Sequence, residues 1–305
     1  MLTQKPGIPE IREFTKNSAP LIHCITNPIS IHDCANMILA VGARPIMAEH
    51  PEEVEEITEV SSALMLNLGN ITDARIISMQ RALSTANRKN IPVLLDLVGV
   101  TCSQLRRSFA KKLLSQGVFS VIKGNISEIL AAAELPYHGT GIDAGSQDAV
   151  SVENQAWYCE TARHLAKHLN CTVMATGKKD LIAEADSALL VSNGHAALSG
   201  VTGTGCMVGA LTAAYLPGSK AIFTKSGIFE TSSLIPDKTK VSYGTAAALL
   251  AAVEMGISGE LAAEISKGPG SFQTALLDEV YAMTDETLLE KARLQEFLPQ
   301  NVETL

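Results

Sequence analysis

The stretch from residue 63 to residue 122 decides the fold, because short apolar runs alternate there with segments of helical period. The runs are Ala63-Leu-Met-Leu-Asn-Leu68, Pro92-Val-Leu-Leu-Asp-Leu97 and Val118-Phe-Ser-Val-Ile122. Between them, residues 72–89 and 104–116 carry apolar side chains three and four positions apart, which is typical of helices that bury one face. Strands that alternate with helices favour crossover connections, so this stretch predicts a mostly parallel sheet covered by helices on both faces.

The same alternation continues on both sides of this stretch. Further strands are predicted at residues 21–25, 46–48 and 172–175, and further helices at 31–41, 51–61, 126–134 and 152–168. After Thr176 the pattern changes: residues 180–185 and 188–192 predict a hairpin, and the chain to Ala282 is mainly helical. No linker-like segment or internal repeat interrupts the pattern, so we expect one α/β domain over residues 1–305.

Composition limits the possible functions. The chain has 305 residues, 46% of them hydrophobic, and a formal net charge of -8, which argues against nucleic acid as a partner. The basic cluster within residues 106–112 is interpreted as the solvated face of a helix. Six scattered cysteines without a CxxC pair indicate a reducing compartment and no structural zinc site. The N-terminus is polar and no long uncharged apolar stretch occurs, so we expect a soluble cytoplasmic protein without a membrane span.

Polar or small residues follow each predicted strand, where open parallel sheets bind their ligands. The strands end, in order, at Thr26-Asn27-Pro28, Met47-Ala48-Glu49, Asn67-Leu68-Gly69, Asp96, Lys123-Gly124-Asn125 and Thr176-Gly177, and the glycine loop before Cys206 lies at the same rim. The sequence therefore predicts a single crevice lined by these residues. No G-x-x-x-x-G-K-[ST] loop and no G-x-S-x-G elbow is present, which excludes a P-loop enzyme and argues against an α/β-hydrolase.

A glycine loop, Val201-Thr-Gly-Thr-Gly-Cys206, precedes the apolar helix pattern of residues 207–216. Gly203 and Gly205 lack Cβ, so several backbone N–H groups can point at one anion at the positive end of the helix. We expect Cys206, on the first turn, to have a lowered pKa. The residues alone also allow a simpler interpretation, in which the glycines form a tight turn and Cys206 is a buried filler.

Asn125 and Glu128 lie three positions apart at a predicted helix start, so both side chains share one face. The carboxylate can hold a hydrated Mg²⁺ that is shared with substrate phosphates. The pair equally fits a capping box, and Asp96 can likewise be functional or a cap. His23 and His32 have no partner at metal-binding spacing and are interpreted as core or pocket-lining residues.

Nine motifs, taken together, resemble the hydroxyethylthiazole kinase family of the ribokinase-like superfamily. They are Thr26-Asn27, Asp33-Cys-Ala-Asn36, Gly42-Ala-Arg-Pro-Ile-Met47, Asn67-Leu-Gly69, Asp96-Leu-Val-Gly99, Lys123-Gly-Asn-Ile-Ser-Glu128, Ala175-Thr-Gly177, Asn193-Gly-His195 and Val201-Thr-Gly-Thr-Gly-Cys206, with Gly268-Pro-Gly-Ser-Phe272 further on. They come in the family's order, and any one of them alone would be weak.

The resemblance implies a ribokinase-like three-layer sandwich that transfers the γ-phosphate of ATP to the hydroxyl of 4-methyl-5-(2-hydroxyethyl)thiazole, a salvage step towards thiamine. It also implies Mg²⁺ as cofactor and a homotrimer with active sites between subunits. It assigns roles to the residues of the predicted crevice: Gly203 and Gly205 as anion hole and Cys206 as proton acceptor; Asp96 and Glu128 as organisers of Mg²⁺; Lys123, Asn125 and Thr176 as ATP-binding residues; Asn27, Pro28, Met47, Gly69 and Gly203 as the thiazole site.

Two departures from the family pattern concern the nucleotide side. Lys123 stands where the family usually has arginine, which keeps the charge but loses a bidentate phosphate contact. The family also usually reads Asp-Pro-Val-Gly and then a Gly-Ala pair, whereas this chain has Asp96-Leu-Val-Gly-Val-Thr-Cys102. We expect these changes to affect efficiency and nucleotide preference more than the class of reaction.

Three alternatives stay open at this point. The first is a ribokinase-like kinase for another small alcohol, although Asn27 and Met47 match the thiazole side. The second is a non-enzymatic thiazole-binding or regulatory protein, for which Lys123 and the altered loop are the motivation. The third is a dinucleotide-binding oxidoreductase, which the late position of the glycine loop disfavours.

Overall fold

The computed structural model describes residues 7–297 apart from 140–149, 152, 228 and 231–239. The helices are α1 Ile8–Ser18, α2 Ile31–Ala40, α3 Val54–Glu59, α4 Asp73–Arg88, α5 Gln104–Gln116, α6 Ile126–Ala132, α7 Gln155–Leu169, α8 Thr204–Ser226, α9 Tyr243–Ile265, α10 Pro269–Ala282 and α11 Asp285–Lys291. The strands are β1 Leu21–Ile25, β2 Arg44–Ile46, β3 Ala63–Asn67, β4 Val93–Asp96, β5 Val121–Asn125, β6 Thr172–Thr176, β7 Asp180–Ala183, β8 Ala188–Val191, β9 Phe229–Glu230, β10 Lys240–Val241 and β11 Leu294–Phe297.

Over the described residues, the main sheet has nine strands in the order β11-β8-β7-β6-β5-β4-β3-β1-β2. Strands β1 to β6 all run parallel to one another. Strands β7, β8 and β11 continue the sheet with antiparallel pairing. The register sets Asn67 beside Asp96, Asp96 beside Lys123, and Asn125 beside Thr176. The ends of four neighbouring strands are therefore aligned along one edge of the sheet.

Helices cover both faces of the sheet, which makes a three-layer sandwich. One hydrophobic cluster joins the sheet to α1, α2 and α8–α11, and the other joins it to α3–α7. In the described residues, α8 and α9 are long and apolar enough to cross a membrane, but 72% and 83% of their apolar windows are buried inside the protein. Because nearly every side of these two helices is covered, they need apolar residues all round and form the core of their layer.

The predicted architecture is confirmed: the sheet is mostly parallel, and helices flank it on both faces. The 104–116 helix has the predicted bounds, and the hairpin of β7 and β8 forms as expected. The elements that were missed are α1, α11, the edge strand β11 and the short strands β9 and β10. The helix expected from residue 152 begins at Gln155 in the structure, and residue 152 itself lies outside the described residues.

Candidate active site

A buried polar group lies where β3, β4 and β5 end. The Lys123 ammonium is 3.3 Å from Asp96 Oδ1 and 3.2 Å from Asp96 Oδ2, and Asn67 Nδ2 donates to Asp96 Oδ2 at 3.2 Å. All three side chains are almost completely removed from solvent. The sheet register brings them together, because each is the last or nearly the last residue of its strand on the same edge.

Cys206 joins this group from the other side. It lies on the first turn of α8, is 6% exposed, and its Sγ accepts hydrogen bonds from Asn27 Nδ2 at 3.4 Å and Asn67 Nδ2 at 3.3 Å. The two amides also meet each other, since Asn27 Nδ2 donates to Asn67 Oδ1 at 3.1 Å. The thiol is therefore held by the ends of β1 and β3, directly above the Asp96 carboxylate network.

Backbone geometry requires glycine at position 203 of the glycine loop, and position 205 lies close to Lys123. Gly203 has φ +89°, a left-handed conformation, and a Cβ there would lie 3.1 Å from the Cβ of Ser30. A Cβ on Gly205 would lie 3.4 Å from Lys123 Nζ. Free backbone N–H groups at the start of a 23-residue helix therefore lie close to an ammonium group, which is the arrangement that binds an anion.

The expected lowering of the Cys206 pKa is wrong. Burial raises the pKa of the thiol, and the nearby Asp96 carboxylate raises it further. The Lys123 ammonium and the hydrogen-bonding groups of Ser30 and Asn67 act in the opposite direction but do not outweigh these effects. A helix start alone lowers a thiol pKa, whereas a helix start over a buried carboxylate does not.

Lys123 remains a cation in this environment. Burial by itself would lower its pKa, but the carboxylate of Asp96, the thiol of Cys206 and the carboxylate of Glu128 raise it above its ordinary value. The permanent positive charge therefore lies at the base of the glycine loop.

Glu128 adopts the capping arrangement that the sequence allowed. Its N–H donates to Asn125 Oδ1 at 2.9 Å, and its Oε2 accepts from the Asn125 N–H at 2.7 Å. Its Oε1 accepts from the N–H of Gly99 at 2.6 Å, which fastens the loop after Asp96 to α6. Burial raises the pKa of this carboxyl to about 7. Glu128 thus serves as a cap and also places a second carboxylate near Asp96 and Lys123.

The oxygen donors of Asp96 and Glu128 fit a magnesium ion. Within the described residues, no group of three or more His, Cys, Asp or Glu side chains could hold a metal. Mg²⁺ does not need such a cage, because it keeps several waters and is usually bound by one or two carboxylates together with substrate phosphates. Two carboxylates beside an anion-binding loop match that donor set.

The remaining predicted residues surround this centre at different depths. Gly69 lies against it, since its N–H donates to Asn67 Oδ1 at 2.9 Å and a Cβ would lie 2.9 Å from Asn27 Nδ2. Thr176 is half-buried and donates to the carbonyl of Gly124 at 3.3 Å. The two outermost, Pro28 and Met47, are exposed and half-buried, respectively.

The histidines and the basic cluster have other surroundings. His23 is a core residue, bonded to Thr58 Oγ1 at 2.8 Å and to the Ala48 carbonyl at 2.9 Å, whereas His32 is exposed. Arg106 is only half-exposed, and its guanidinium occupies the space where Gly99 would carry a Cβ. The solvated-face interpretation of residues 106–112 is therefore incomplete, because Arg106 packs on the loop that follows Asp96.

Sequence reasoning placed Asn67 on the rim of the crevice without assigning it a role, and it missed Ser30 as a site residue. Asn67 bonds to Asp96, Cys206 and Asn27 at once, although only its position at a strand end pointed to it. Ser30 has less than 2% exposure beside the glycine loop, and no motif indicated it. Both roles depend on contacts between distant segments, which spacing along the chain does not reveal.

Comparisons with known proteins agree with this fold. A solved pyridoxal kinase from Staphylococcus aureus in complex with ADP has the same fold at a TM-score of 0.50 and 15% identity, covering 74% of this chain and 93% of that one. The solved hydroxyethylthiazole kinase protein from Pyrococcus horikoshii OT3 matches with a TM-score of 0.78 and 30% identity, over 95% of this chain and 98% of that one. Fold and site together define a ribokinase-like small-molecule kinase.

The family model for the hydroxyethylthiazole kinase family matches residues 11–286. Hydroxyethylthiazole kinase 2 of Clostridium botulinum strain Langeland is 43% identical over 288 residues, covering 94% of this chain and 100% of the relative. The chain belongs to the hydroxyethylthiazole kinase family. It is a kinase that uses ATP as co-substrate, and the reaction of its family serves thiamine salvage.

Proposed function

We propose that this chain transfers the γ-phosphate of ATP to the hydroxyl of 4-methyl-5-(2-hydroxyethyl)thiazole with Cys206 as the proton acceptor. It would act as one domain over residues 1–305, in the cytoplasm, with Mg²⁺ and as a homotrimer whose active sites lie between subunits. One observation carries the proposal: the Cys206 thiol is held by two amides beside a glycine loop whose Gly205 faces the Lys123 ammonium.

The anion hole and the base have complementary tasks. The N–H groups around Gly203 and Gly205, with Lys123 beneath them, stabilise the charge on the transferring phosphoryl group. The substrate oxygen bonds to the γ-phosphorus as the bond to ADP breaks, and its proton passes to Cys206 Sγ. Phosphoryl transfer depends mostly on alignment and charge stabilisation, so the proton acceptor need not be strong.

Asp96 and Glu128 would hold Mg²⁺, which supplies charge neutralisation and orientation at the phosphates of ATP. Lys123, Asn125 and Thr176 lie on the adjacent ends of β5 and β6, which suits the nucleotide. Asn27, Pro28, Met47 and Gly69 would form the thiazole site, in which a small heterocycle meets a partly apolar wall.

The raised Cys206 pKa has a consequence for the rate. Because burial and Asp96 disfavour the thiolate, the proton-accepting form is the minor one near neutral pH. We therefore expect kcat to rise with pH across the neutral and mildly alkaline range, until the thiol titrates.

One assay tests the proposal directly. Purified protein is incubated with MgATP and hydroxyethylthiazole, and the phosphorylated product is followed by mass. Product formation supports the kinase, whereas thiazole binding without product at millimolar substrate would favour a binding protein.

A Mg²⁺ titration of the Glu128→Gln variant tests the metal role, since an unchanged response leaves Glu128 as a cap only. Light scattering tests the shared site, because a fully active monomer contradicts it.

A further inference from the structure

Ser30 carries a buried hydroxyl that does not cap its helix. It is the N-cap residue of α2, where a serine side chain usually accepts a hydrogen bond from the first turn of the helix. Here no such bond forms, and its Oγ has no well-oriented hydrogen-bond partner among the described residues. The residue is 1% exposed, so water does not compensate freely. Buried hydroxyls without a partner are costly, and each one calls for an explanation.

The surroundings of Ser30 are those of the reacting centre. Its Cβ lies 3.1 Å from the position that a Cβ on Gly203 would occupy, so it packs directly on the glycine loop. Asn27 connects it to the thiol: Asn27 Oδ1 accepts from the Ser30 N–H at 3.2 Å, while Asn27 Nδ2 donates to Cys206 Sγ at 3.4 Å. The hydroxyl is therefore held between the anion hole and the proposed proton acceptor.

The environment of the Cys206 thiol also involves Ser30. Burial raises the pKa of Cys206, and the proximity of the Ser30 hydroxyl opposes that rise. The same hydroxyl acts in the same direction on Cys34, whose pKa burial also raises. Asn27 and Asn67 already donate to Cys206 Sγ, and a thiolate accepts further donors.

We propose that Ser30 is a positioning residue for phosphoryl transfer, whose hydroxyl donates a third hydrogen bond to Cys206 Sγ and orients it towards the substrate hydroxyl. This inference rests on the proposed role of Cys206 as proton acceptor. Ser30 acts through Cys206 and not by contact with the thiazole or with ATP. Its hydroxyl would rotate onto the sulfur when the thiolate forms, because a charged acceptor makes the stronger hydrogen bond.

Ser258 offers a matched control. It is also fully buried, its hydroxyl also has no partner among the described residues, and it lies on α9, outside the site. Ser258→Ala and Ser30→Ala each remove one buried, unpaired hydroxyl. Both variants should keep or slightly raise the urea midpoint of unfolding, so a difference in kinetics between them reports on the site and not on stability.

The test compares kcat and both KM values for Ser30→Ala, Ser258→Ala, Cys206→Ala and the double variant Ser30→Ala with Cys206→Ala. We expect Ser30→Ala to lower kcat by about tenfold or more, the usual loss for a hydrogen bond to a charged group, with both KM values within about twofold. Ser258→Ala should match the wild type. In the Cys206→Ala background, Ser30→Ala should change kcat by less than about twofold, since its effect passes through the sulfur.

Two results would overturn the inference alone. In one, Cys206→Ala lowers kcat strongly while Ser30→Ala behaves like Ser258→Ala. In the other, the Ser30→Ala loss persists undiminished without the thiol, or appears only in KM, which would make Ser30 a substrate contact. Retention of full activity by Cys206→Ala would instead defeat the proposed proton acceptor, and the role of Ser30 with it.

Discussion

Among the described residues, two largely buried charge clusters have different roles. The rim cluster consists of Asn67, Asp96, Lys123 and Cys206 at the strand ends. The helix cluster consists of Arg12, Tyr215, Glu254 and Asp285, contributed by α1, α8, α9 and α11. In the helix cluster, Arg12 Nε lies 3.3 Å from Glu254 Oε1, the guanidinium also binds Asp285 and the Met283 carbonyl, and Tyr215 donates to Glu254.

The two clusters differ in the groups that lie next to them. The helix cluster pairs its charges with one another among packed helices, although Arg12 Nε and Glu254 Oε1 make no well-oriented hydrogen bond, and it fastens α1 and α11 to the core. The rim cluster lies beside free N–H groups of a helix start, against a glycine loop, and near the unpaired hydroxyl of Ser30. Burial of charge therefore does not by itself identify a functional site here, whereas buried charge beside the backbone N–H groups of a helix start and a glycine loop points to one.

The strongest test of this contrast is Arg12→Ala in the helix cluster. It leaves Glu254 buried without its cation, and we expect the free energy of unfolding to fall by about 3–5 kcal/mol. The kcat of the molecules that stay folded should be unchanged. Urea unfolding and active-site-normalised kinetics measure both quantities. Arg44→Ala is the control, because Arg44 is exposed and binds only the Ala19 carbonyl at 2.8 Å in the described structure. A large kcat loss in folded Arg12→Ala would remove the distinction between the clusters.

Cys206→Ala makes the converse change in the rim cluster. We expect kcat to fall by about a hundredfold or more, the usual contribution of a general base, with thiazole affinity nearly unchanged. Steady-state kinetics and thiazole titration give the two values. Cys24→Ala is the matched control, since Cys24 is an equally buried thiol in the middle of β1 and should be kinetically silent. A drop of less than about threefold would mean that the proton leaves by another route.

The pH dependence of stability separates the rim carboxylates from surface carboxylates. Burial raises the Glu128 pKa from 4.5 to about 7, so the folded state binds more protons than the unfolded state between these values. Stability of the ligand-free protein should therefore fall as pH rises through this range, by about 1–3 kcal/mol, and Glu128→Gln should flatten the slope. Urea midpoints from pH 4.5 to 8 measure it.

Glu134→Gln is the control for this slope. Glu134 is exposed, and its ion pair with Lys111 lowers its pKa, so its small contribution has the opposite sign. Wild-type and Glu128→Gln curves with equal slopes would show that Glu128 is not the group that responds.

The smallest effect is expected from Lys123→Arg, which tests whether the cation of the rim cluster contacts the nucleotide. An arginine can contact phosphate with two parallel hydrogen bonds, so KM for ATP should fall by about threefold with little change in KM for the thiazole. Lys111→Arg, at an exposed ion pair, serves as control. An unchanged KM for ATP would indicate that position 123 acts on Asp96 and not on the nucleotide.

Much of the fold could be predicted because its periodic signals are local. The strand–helix alternation predicted the six parallel strands and the hairpin, and strand ends predicted which loops share one edge. The edge strand β11 was missed because its half-buried pattern reflects pairing with β8, more than a hundred positions earlier in the chain. Helix α1 was missed although Glu10 caps it, because no apolar run of helical length marks it.

The chain by itself determined the order of elements, the glycine loop and the residue types at the strand ends, since these depend on spacing and on backbone freedom. Only the tertiary structure decided that Cys206 has a raised pKa, that Asn67 joins three segments, and that the Ser30 hydroxyl has no well-oriented partner among the described residues. The physical reason is that pKa values and hydrogen-bond satisfaction depend on desolvation and on charges a few ångströms away. Those neighbours come from β1, β3, β4 and α8, which are close in space only after the sheet has formed.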